Sequence, residues 1–327
     1  MPEKKSTAKK KITSFSLKKD YVDAIDTLAQ KSNQTRTEIV ESYLQNAIND
    51  INNINGKPMI ITVMSFKGGV AKTTSAANLA LCLGRRGKDV LIIDLDGQGS
   101  ISQYLGVYDP RAEETCIADV MLNNARGERL GIADVVRDTK FEGVSIVPSS
   151  FKFSDADSRM RSEVAPGIDS RLQHAIEDLI SVMHFDYIII DCPPSLGLVV
   201  TNAITALDAG NANSLIVIPV RVDGFAIAGL SNTISTIESV AHERRTPVRK
   251  WRILRTIAET RSVAYKTGLK MIKDQFPSVD FFNTCIPKAT SVVESTLAME
   301  PLVEYDKESK PAEAYERFAD EIEGLNG

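Results

Sequence analysis

A segment rich in lysine and glycine is the part of the sequence best suited to chemistry. It reads Ser65-Phe66-Lys67-Gly68-Gly69-Val70-Ala71-Lys72-Thr73-Thr74 and lies between an apolar run and a helical pattern. Glycines let backbone N–H groups curl around phosphate oxygens, and the N-terminus of the following helix adds a favourable dipole. Lys72 would contact the β- and γ-phosphates of a nucleoside triphosphate, and the Thr73 hydroxyl would bind Mg²⁺. The common pattern G-x-x-x-x-G-K-[ST] requires glycine where this chain has Phe66 and Ala71. We therefore predict a deviant phosphate loop with an extra lysine, Lys67.

Two further apolar runs end in aspartate. Asp94 and Asp96 close the run that begins at Val90, and Asp191 closes the run that begins at Tyr187. An aspartate at the end of a buried strand beside a phosphate loop can hold Mg²⁺ through its water shell. Each of these acids alone could equally be structural, but together with the loop they predict a metal–triphosphate site.

The elements that must position these residues follow from hydrophobic patterning. Apolar runs that predict strands cover residues 59–65, 89–94, 144–148, 187–191, 214–220, 251–257 and 279–286. Helical patterns separate them, for example at residues 73–86, 168–183 and 263–276. Continuous apolar strands alternating with helices are typical of a mostly parallel, twisted α/β sheet with helices on both faces. Ligands on such sheets bind at the carboxyl ends of the strands.

The first 57 residues have a different texture. Residues 1–11 carry five lysines and predict a basic, flexible tail. They are not expected to be a secretory signal, because no apolar region follows them. Residues 12–50 predict a strand at 12–17, a helix at 19–32 and a second helix at 37–50 that begins with a capping box of Thr35 and Glu38. An asparagine-rich linker at 51–57 leads into the α/β domain with the phosphate loop, at 58–327.

Composition excludes several classes of protein. The chain has 327 residues, of which 43% are hydrophobic, and its longest apolar runs have the length of strands, so we expect no membrane span. Four cysteines without disulfide or metal-binding spacing favour a reducing cytoplasm. The net charge is −4, but residues 242–273 hold ten basic and two acidic residues. Such a basic island suggests contact with a polyanion, although most charge runs are solvated faces.

The chain resembles ParA-type ATPases of the ParA/MinD superfamily. The resemblance rests on Lys67–Thr74, on Asp94-Leu95-Asp96 and on Asp191-Cys-Pro-Pro-Ser-Leu-Gly197, and it extends over about residues 58–322. Cys285-Ile-Pro287 and the segment from Glu300 to Tyr315 follow the closing pattern of that family. Two departures are Ala71, where glycine is usual, and Gly97, where proline is common. Neither departure removes a charged group.

The resemblance implies a role for each matching residue. Phosphates and Mg²⁺ would be bound by residues 68–74, with Thr73, Asp96 and Asp191 around the metal. Lys67 would reach across an ATP-bridged homodimer to the partner's nucleotide, Asp96 would orient the attacking water, and Pro287 would lie near the adenine. The implied function is a Mg²⁺-dependent ATPase for plasmid or chromosome partition. It would dimerise on ATP, bind nonspecific DNA, and be stimulated by a ParB-like centromere-binding protein.

Residues 12–50 resemble a ribbon-helix-helix module, in which Ser14 and Ser16 would face base edges while Thr35 and Arg36 grip phosphate. Such a module would add site-specific DNA binding and autoregulation; a helical hairpin that only dimerises or docks is the alternative. The basic island, which includes Arg244, Arg245, Arg249 and Lys250, would bind the DNA backbone. The acidic C-terminus argues against membrane binding, and we expect a cytoplasmic, nucleoid-associated protein. An ATP-gated transcriptional regulator and a positioning ATPase for non-DNA cargo remain alternatives.

Overall fold

The structure, a computed structural model, describes residues 18–32, 34–44, 56–109, 111, 113–124, 126–163 and 165–326. The chain divides into two compact units, Met1–Ile51 and Asn52–Gly327. The basic tail and the predicted strand at 12–17 lie outside the described residues, as do positions 45–55.

In the first unit, helix α1 (Lys19–Ser32) has the bounds that the sequence predicts, and residues 36–44 form helix α2. The predicted capping box opens α2. The Thr35 backbone N–H donates to Glu38 Oε2 at 2.8 Å, and the Glu38 N–H donates to Thr35 Oγ1 at 3.2 Å. These bonds satisfy two of the N–H groups that a helix start leaves without partners.

The second unit is built on an eight-stranded sheet. Its strands are β1 (Met59–Val63), β2 (Val90–Asp94), β3 (Arg137–Asp138), β4 (Val144–Val147), β5 (Tyr187–Asp191), β6 (Leu215–Arg221), β7 (Trp251–Ala258) and β8 (Phe281–Pro287). The strand order is β3-β4-β2-β5-β1-β6-β7-β8, and only β3 pairs antiparallel. All seven strands predicted within residues 58–327 are present. Strand β3 was not predicted, because two residues are too few to show a pattern.

Helices cover both faces of this sheet. They are α3 (Lys72–Arg85), α4 (Ser100–Tyr104), α5 (Ile117–Met121), α6 (Ala156–Ser162), α7 (Arg171–Ile180), α8 (Leu198–Thr205), α9 (Ala226–Arg244), α10 (Val263–Gln275), α11 (Thr290–Leu297), α12 (Leu302–Tyr305) and α13 (Lys310–Asn326). The side chains of β5 alternate between two hydrophobic cores: Ile188 and Ile190 pack in one, and Tyr187 and Ile189 in the other. Because both cores are buried, the predicted α/β class is confirmed.

The strand order determines where loops meet. Strand β1 lies between β5 and β6, and β2 lies on the far side of β5. In the parallel register, Val63 and Asp94 are each paired with Asp191. The segment after β1 and the acids that close β2 and β5 therefore emerge side by side at the carboxyl edge of the sheet. Within the described part of the chain, no helix is both long and apolar enough to cross a membrane.

Candidate nucleotide-binding site

The predicted phosphate loop runs from the end of β1 to the start of α3. Two of its residues have left-handed backbone: Gly69 with φ of 67°, and Ala71 with φ of 62° and ψ of 37°. Left-handed backbone costs a residue with a Cβ about 1–2 kcal/mol, which explains why the common pattern has glycine at position 71. The Thr256 hydroxyl helps to hold the loop by donating to the Val70 carbonyl at 2.9 Å. The loop thus keeps its conformation with alanine at the strained position.

Lys72 begins α3, and its residue is only 8% exposed. Burial lowers the pKa of the Lys72 ammonium, and this effect outweighs the opposing attraction of Asp191. A buried cation at a helix N-terminus is well placed to bind an anion, since water competes little for it. Thr73 and Thr74 follow it on the first turn of α3 and are half-buried.

Asp191 is the most unusual group at this edge. It is 1% exposed, and neither of its carboxylate oxygens has a hydrogen-bond partner among the described residues. Burial raises the pKa of Asp191 well above its ordinary value, and the neighbouring Asp94 raises it further, whereas Thr73 and Lys72 oppose the change. Buried carboxylates normally have partners, and one without them calls for an explanation. The Asp191 carboxylate and the neighbouring Thr73 hydroxyl form a donor set that fits Mg²⁺.

Asp94 organises the loop that carries Asp96. It is fully buried, and burial raises its pKa to about 7. Its Oδ1 accepts the Asp96 backbone N–H at 3.0 Å, and its Oδ2 accepts the Ser102 hydroxyl at 2.6 Å. The half-buried Asp96 in turn accepts the Gln98 N–H on Oδ1 at 3.0 Å. Asp94 therefore holds Asp96 beside Asp191, at the edge where the phosphate loop begins.

The loop also shows why this chain has glycine at position 97. A Cβ built on Gly97 would lie 2.6 Å from the Ser154 Cα and 2.7 Å from the Ser154 nitrogen. Because both contacts are with backbone, a proline or any larger residue at 97 would force one of the two segments to move.

Lys67 and Lys72 have different partners. Its ammonium donates to both carboxylate oxygens of Asp223, each at 2.5 Å. Asp223 lies two residues beyond β6, the strand next to β1. Asp223 was not among the predicted site residues, although an acid just past a buried strand resembles the signal that revealed Asp94 and Asp191.

A cavity of about 420 Å³ opens beside the phosphate loop. Ala71, Pro287, Val292, Val293 and Tyr315 are among the residues that line it, and most of the lining is apolar. An apolar cavity next to a phosphate loop suits a flat, weakly polar ring such as a nucleobase. Pro287 lines this cavity together with Ala71, the residue that precedes α3.

The predicted DNA-binding residues divide into paired and exposed groups. Arg36 forms an ion pair with Asp26, Arg244 with Asp169 at 2.8 Å, and Arg249 with Asp208, while Lys250 donates to the Ala212 carbonyl at 3.1 Å. Asp169 and Asp208 are distant in sequence from Arg244 and Arg249, so charge counting along the chain could not reveal these two partners. The island is therefore not one uniform cationic face. Its exposed members are Arg245, Lys250, Arg261, Lys266, Lys270 and Lys273. Thr35 is exposed, and Ser14 and Ser16 lie outside the described residues.

Comparison with known proteins identifies relatives. Residues 58–250 match a family model described as an AAA domain. The sporulation initiation inhibitor protein Soj of Bacillus subtilis (strain 168) is 32% identical over 80% of this chain and 97% of its own length. The chromosome-partitioning ATPase Soj of Treponema pallidum (strain Nichols) is 31% identical over 83% of this chain and 99% of that protein. Among solved structures, the septum site-determining protein MinD from Pyrococcus horikoshii OT3, complexed with Mg-ADP, aligns with a TM-score of 0.61. Its identity is 26%, over 83% of this chain and 98% of that chain.

Proposed function

The chain belongs to the ParA/MinD family of P-loop ATPases, and we propose that it drives the partition of a plasmid or chromosome. In this proposal it binds ATP and Mg²⁺, dimerises on ATP, binds nonspecific DNA and hydrolyses ATP when a ParB-like partner stimulates it. The observation that carries the catalytic part is Asp191, a buried carboxylate beside Lys72 and Thr73 whose oxygens accept no hydrogen bond of normal geometry from the part of the chain that the structure describes. The partition role is supported by relatives of nearly full length, one of which is named a chromosome-partitioning ATPase.

The nucleotide would lie along the carboxyl edge of the sheet. Backbone N–H groups of residues 68–74 bind the phosphate oxygens, Lys72 neutralises their charge, and the cavity lined by Ala71 and Pro287 receives the base. Thr73, Asp96 and Asp191 would hold Mg²⁺. The ion would neutralise the negative charge that develops on the phosphate oxygens during hydrolysis. Binding a cation would also resolve the unfavourable burial of Asp94 next to Asp191, since a positive charge favours both ionised carboxylates.

Hydrolysis needs an oriented water molecule. Asp96 Oδ1 is held by the Gln98 N–H, and the Asp96 backbone is held by Asp94. The Asp96 carboxylate therefore has a defined direction, and we assign it the task of orienting the water that attacks the γ-phosphate. The products are ADP and phosphate.

DNA would be bound on the exposed face of α10 rather than by the whole basic island. Lys266, Lys270 and Lys273 are spaced by four and three residues, so they lie on one side of that helix, and Arg261 precedes it. Such a face offers charge without base-reading geometry, and its affinity for DNA should be sequence-independent and steeply dependent on salt. The unit at 1–51 adds site-specific binding and autoregulation in this proposal, and the protein acts in the cytoplasm on the nucleoid.

The experiment is ATP turnover measured alone, with nonspecific DNA, with the candidate partner, and with both. We expect turnover to rise most when both are present. Lys72→Ala is the control for the site: without its cation the loop should lose ATP binding by calorimetry. Unchanged ATP affinity in Lys72→Ala would refute the site, whereas turnover indifferent to DNA and partner would refute the partition role and favour cargo of another kind.

A further inference from the structure

The contact between Lys67 and Asp223 joins two loops that the sheet places side by side. Strands β1 and β6 are parallel neighbours in register, with Ile61 opposite Leu215 and Val63 opposite Val217. Lys67 lies four residues beyond the end of β1, and Asp223 lies two residues beyond the end of β6. The two side chains are 25% and 30% exposed, so the pair is partly screened from water.

Asp223 is held in place independently of Lys67. Its Oδ1 accepts the Phe225 backbone N–H at 3.0 Å, just before α9, and its Oδ2 lies 3.8 Å from Arg221 Nε. Burial acts to raise the pKa of Asp223, but the hydrogen bonds from Lys67 and Phe225 outweigh it and keep that pKa below its ordinary value. The carboxylate is therefore charged at neutral pH. It is also anchored, so it offers Lys67 a fixed partner.

The lysine is confined along its length as well. Its ammonium lies 6.0 Å from the centre of the Phe225 ring, and a Cβ built on Gly229 of α9 would lie 3.4 Å from Lys67 Cβ. The Lys67 stem therefore lies close to α9, with the ammonium on Asp223.

We propose that Asp223 is a positioning residue that holds Lys67 on its own subunit until two ATP-loaded subunits meet. This inference rests on the proposed function, in which Lys67 contacts the partner's nucleotide. In the free subunit Lys67 is bound by Asp223 and is not available to a second subunit. Dimerisation must therefore break this ion pair twice, once in each subunit.

The charges around the pair make the exchange feasible. A triphosphate carries more negative charge than one carboxylate, so it competes successfully for the lysine when a second subunit presents it. When Lys67 leaves, Arg221 remains beside Asp223, and the carboxylate is not left without a counter-charge. Because the pair is partly exposed, it is weak: it favours the bound position of Lys67 over the released one by about fivefold. Asp223 would thus raise the ATP concentration that dimerisation requires without preventing it.

The test is the Asp223→Asn variant, because asparagine keeps an acceptor for the Phe225 N–H and removes the charge that holds Lys67. Dimer formation is followed by sedimentation velocity across a titration with a non-hydrolysable ATP analogue and Mg²⁺. We expect the analogue concentration that gives half-maximal dimerisation to fall. The fall should be about fivefold if the release of one lysine counts and up to about 25-fold if the release of both counts. Combining Asp223→Asn with Lys67→Gln should abolish the gain, since no lysine remains to be released.

Glu304→Gln is the matched control. It removes an ion pair with Arg85 of the same 2.5 Å length and similar exposure that involves neither Lys67 nor the phosphate loop. The control should leave the half-maximal concentration unchanged. If the wild-type chain dimerises but Asp223→Asn needs the same or more nucleotide, Asp223 is only structural and our inference is wrong. If the wild-type chain stays monomeric with the analogue, the proposed ATP-dependent dimer itself is refuted, and the role of Asp223 with it.

Discussion

Replacing Asp191 by asparagine should flatten the pH dependence of the stability of the nucleotide-free protein. The pKa of Asp191 is raised from 3.8 to about 8 by burial and by Asp94. Between these two values the folded chain binds a proton that the unfolded chain has lost. The free energy of unfolding therefore falls as pH rises through this window, and the loss is complete only above the folded-state pKa.

The size of the effect follows from the slope. One proton bound only by the folded state changes the free energy of unfolding by at most about 1.4 kcal/mol per pH unit. With a folded pKa near 8, the wild-type chain should lose about 2 kcal/mol between pH 6 and pH 8 through Asp191 alone. In a unit of this size that corresponds to a fall in Tm of roughly 4–8 °C. Asparagine does not titrate, so this contribution to the slope disappears in the variant.

The assay is thermal unfolding from pH 6 to pH 8, with and without Mg²⁺ and ATP. Burying the asparagine amide shifts the whole curve, so the slope is the quantity to compare. Asp178→Asn, which changes an exposed carboxylate on α7, should keep the wild-type slope. Mg²⁺ with ATP should stabilise the wild type most at pH 8 and should add little to Asp191→Asn. Equal slopes in wild type and Asp191→Asn would refute our account of the buried carboxylate.

Three further predictions concern the loop, the reaction and the N-terminal unit. Ala71→Gly should relieve left-handed strain and raise the stability by about 1 kcal/mol, or roughly 2–4 °C in Tm; a lower Tm would contradict the strain seen at φ 62°. Asp96→Ala should keep ATP affinity by calorimetry and ATP-dependent dimerisation, because Thr73 and Asp191 still hold Mg²⁺, but it should hydrolyse ATP at least tenfold more slowly, because water positioning is lost. Turnover at the wild-type rate would assign Asp96 another role. Deleting residues 1–57 should remove sequence discrimination in gel shifts yet leave ATP-dependent DNA binding that falls linearly on a log–log salt plot. Loss of all DNA binding at low salt would show that the α10 face contacts only water and does not bind DNA.

The sheet and the acids at its edge could be predicted from the sequence because their signals are local. A buried parallel strand is apolar at every position, as β5 is, and a charged residue at its end is conspicuous. Because parallel strands share one carboxyl edge, the sequence also predicted that Asp94, Asp191 and the phosphate loop would meet. The sequence showed that Ala71 replaces the usual glycine, and the structure adds that the loop keeps its left-handed turn at this residue.

Local sequence patterns could not predict the contacts between distant segments. Asp223 lies 156 residues from Lys67, and the pairing follows from the adjacency of β1 and β6, which no periodicity reveals. The approach of Ser154 to Gly97 is of the same kind. A residue pattern reports which side of an element is buried, but not which other segment covers it.

The basic island shows how this limit affects a functional prediction. Ten cations in 32 residues form one feature along the chain, yet the fold gives Arg244 and Arg249 acidic partners from other segments. A paired arginine must exchange its carboxylate for a phosphate, so it adds less to DNA affinity than a lysine that only gives up water. The counterion-release slope should therefore follow the exposed cations of α10 and not the charge count. Replacing Lys266 and Lys270 by glutamine should lower that slope by about two per subunit, while replacing Arg244 should change it little.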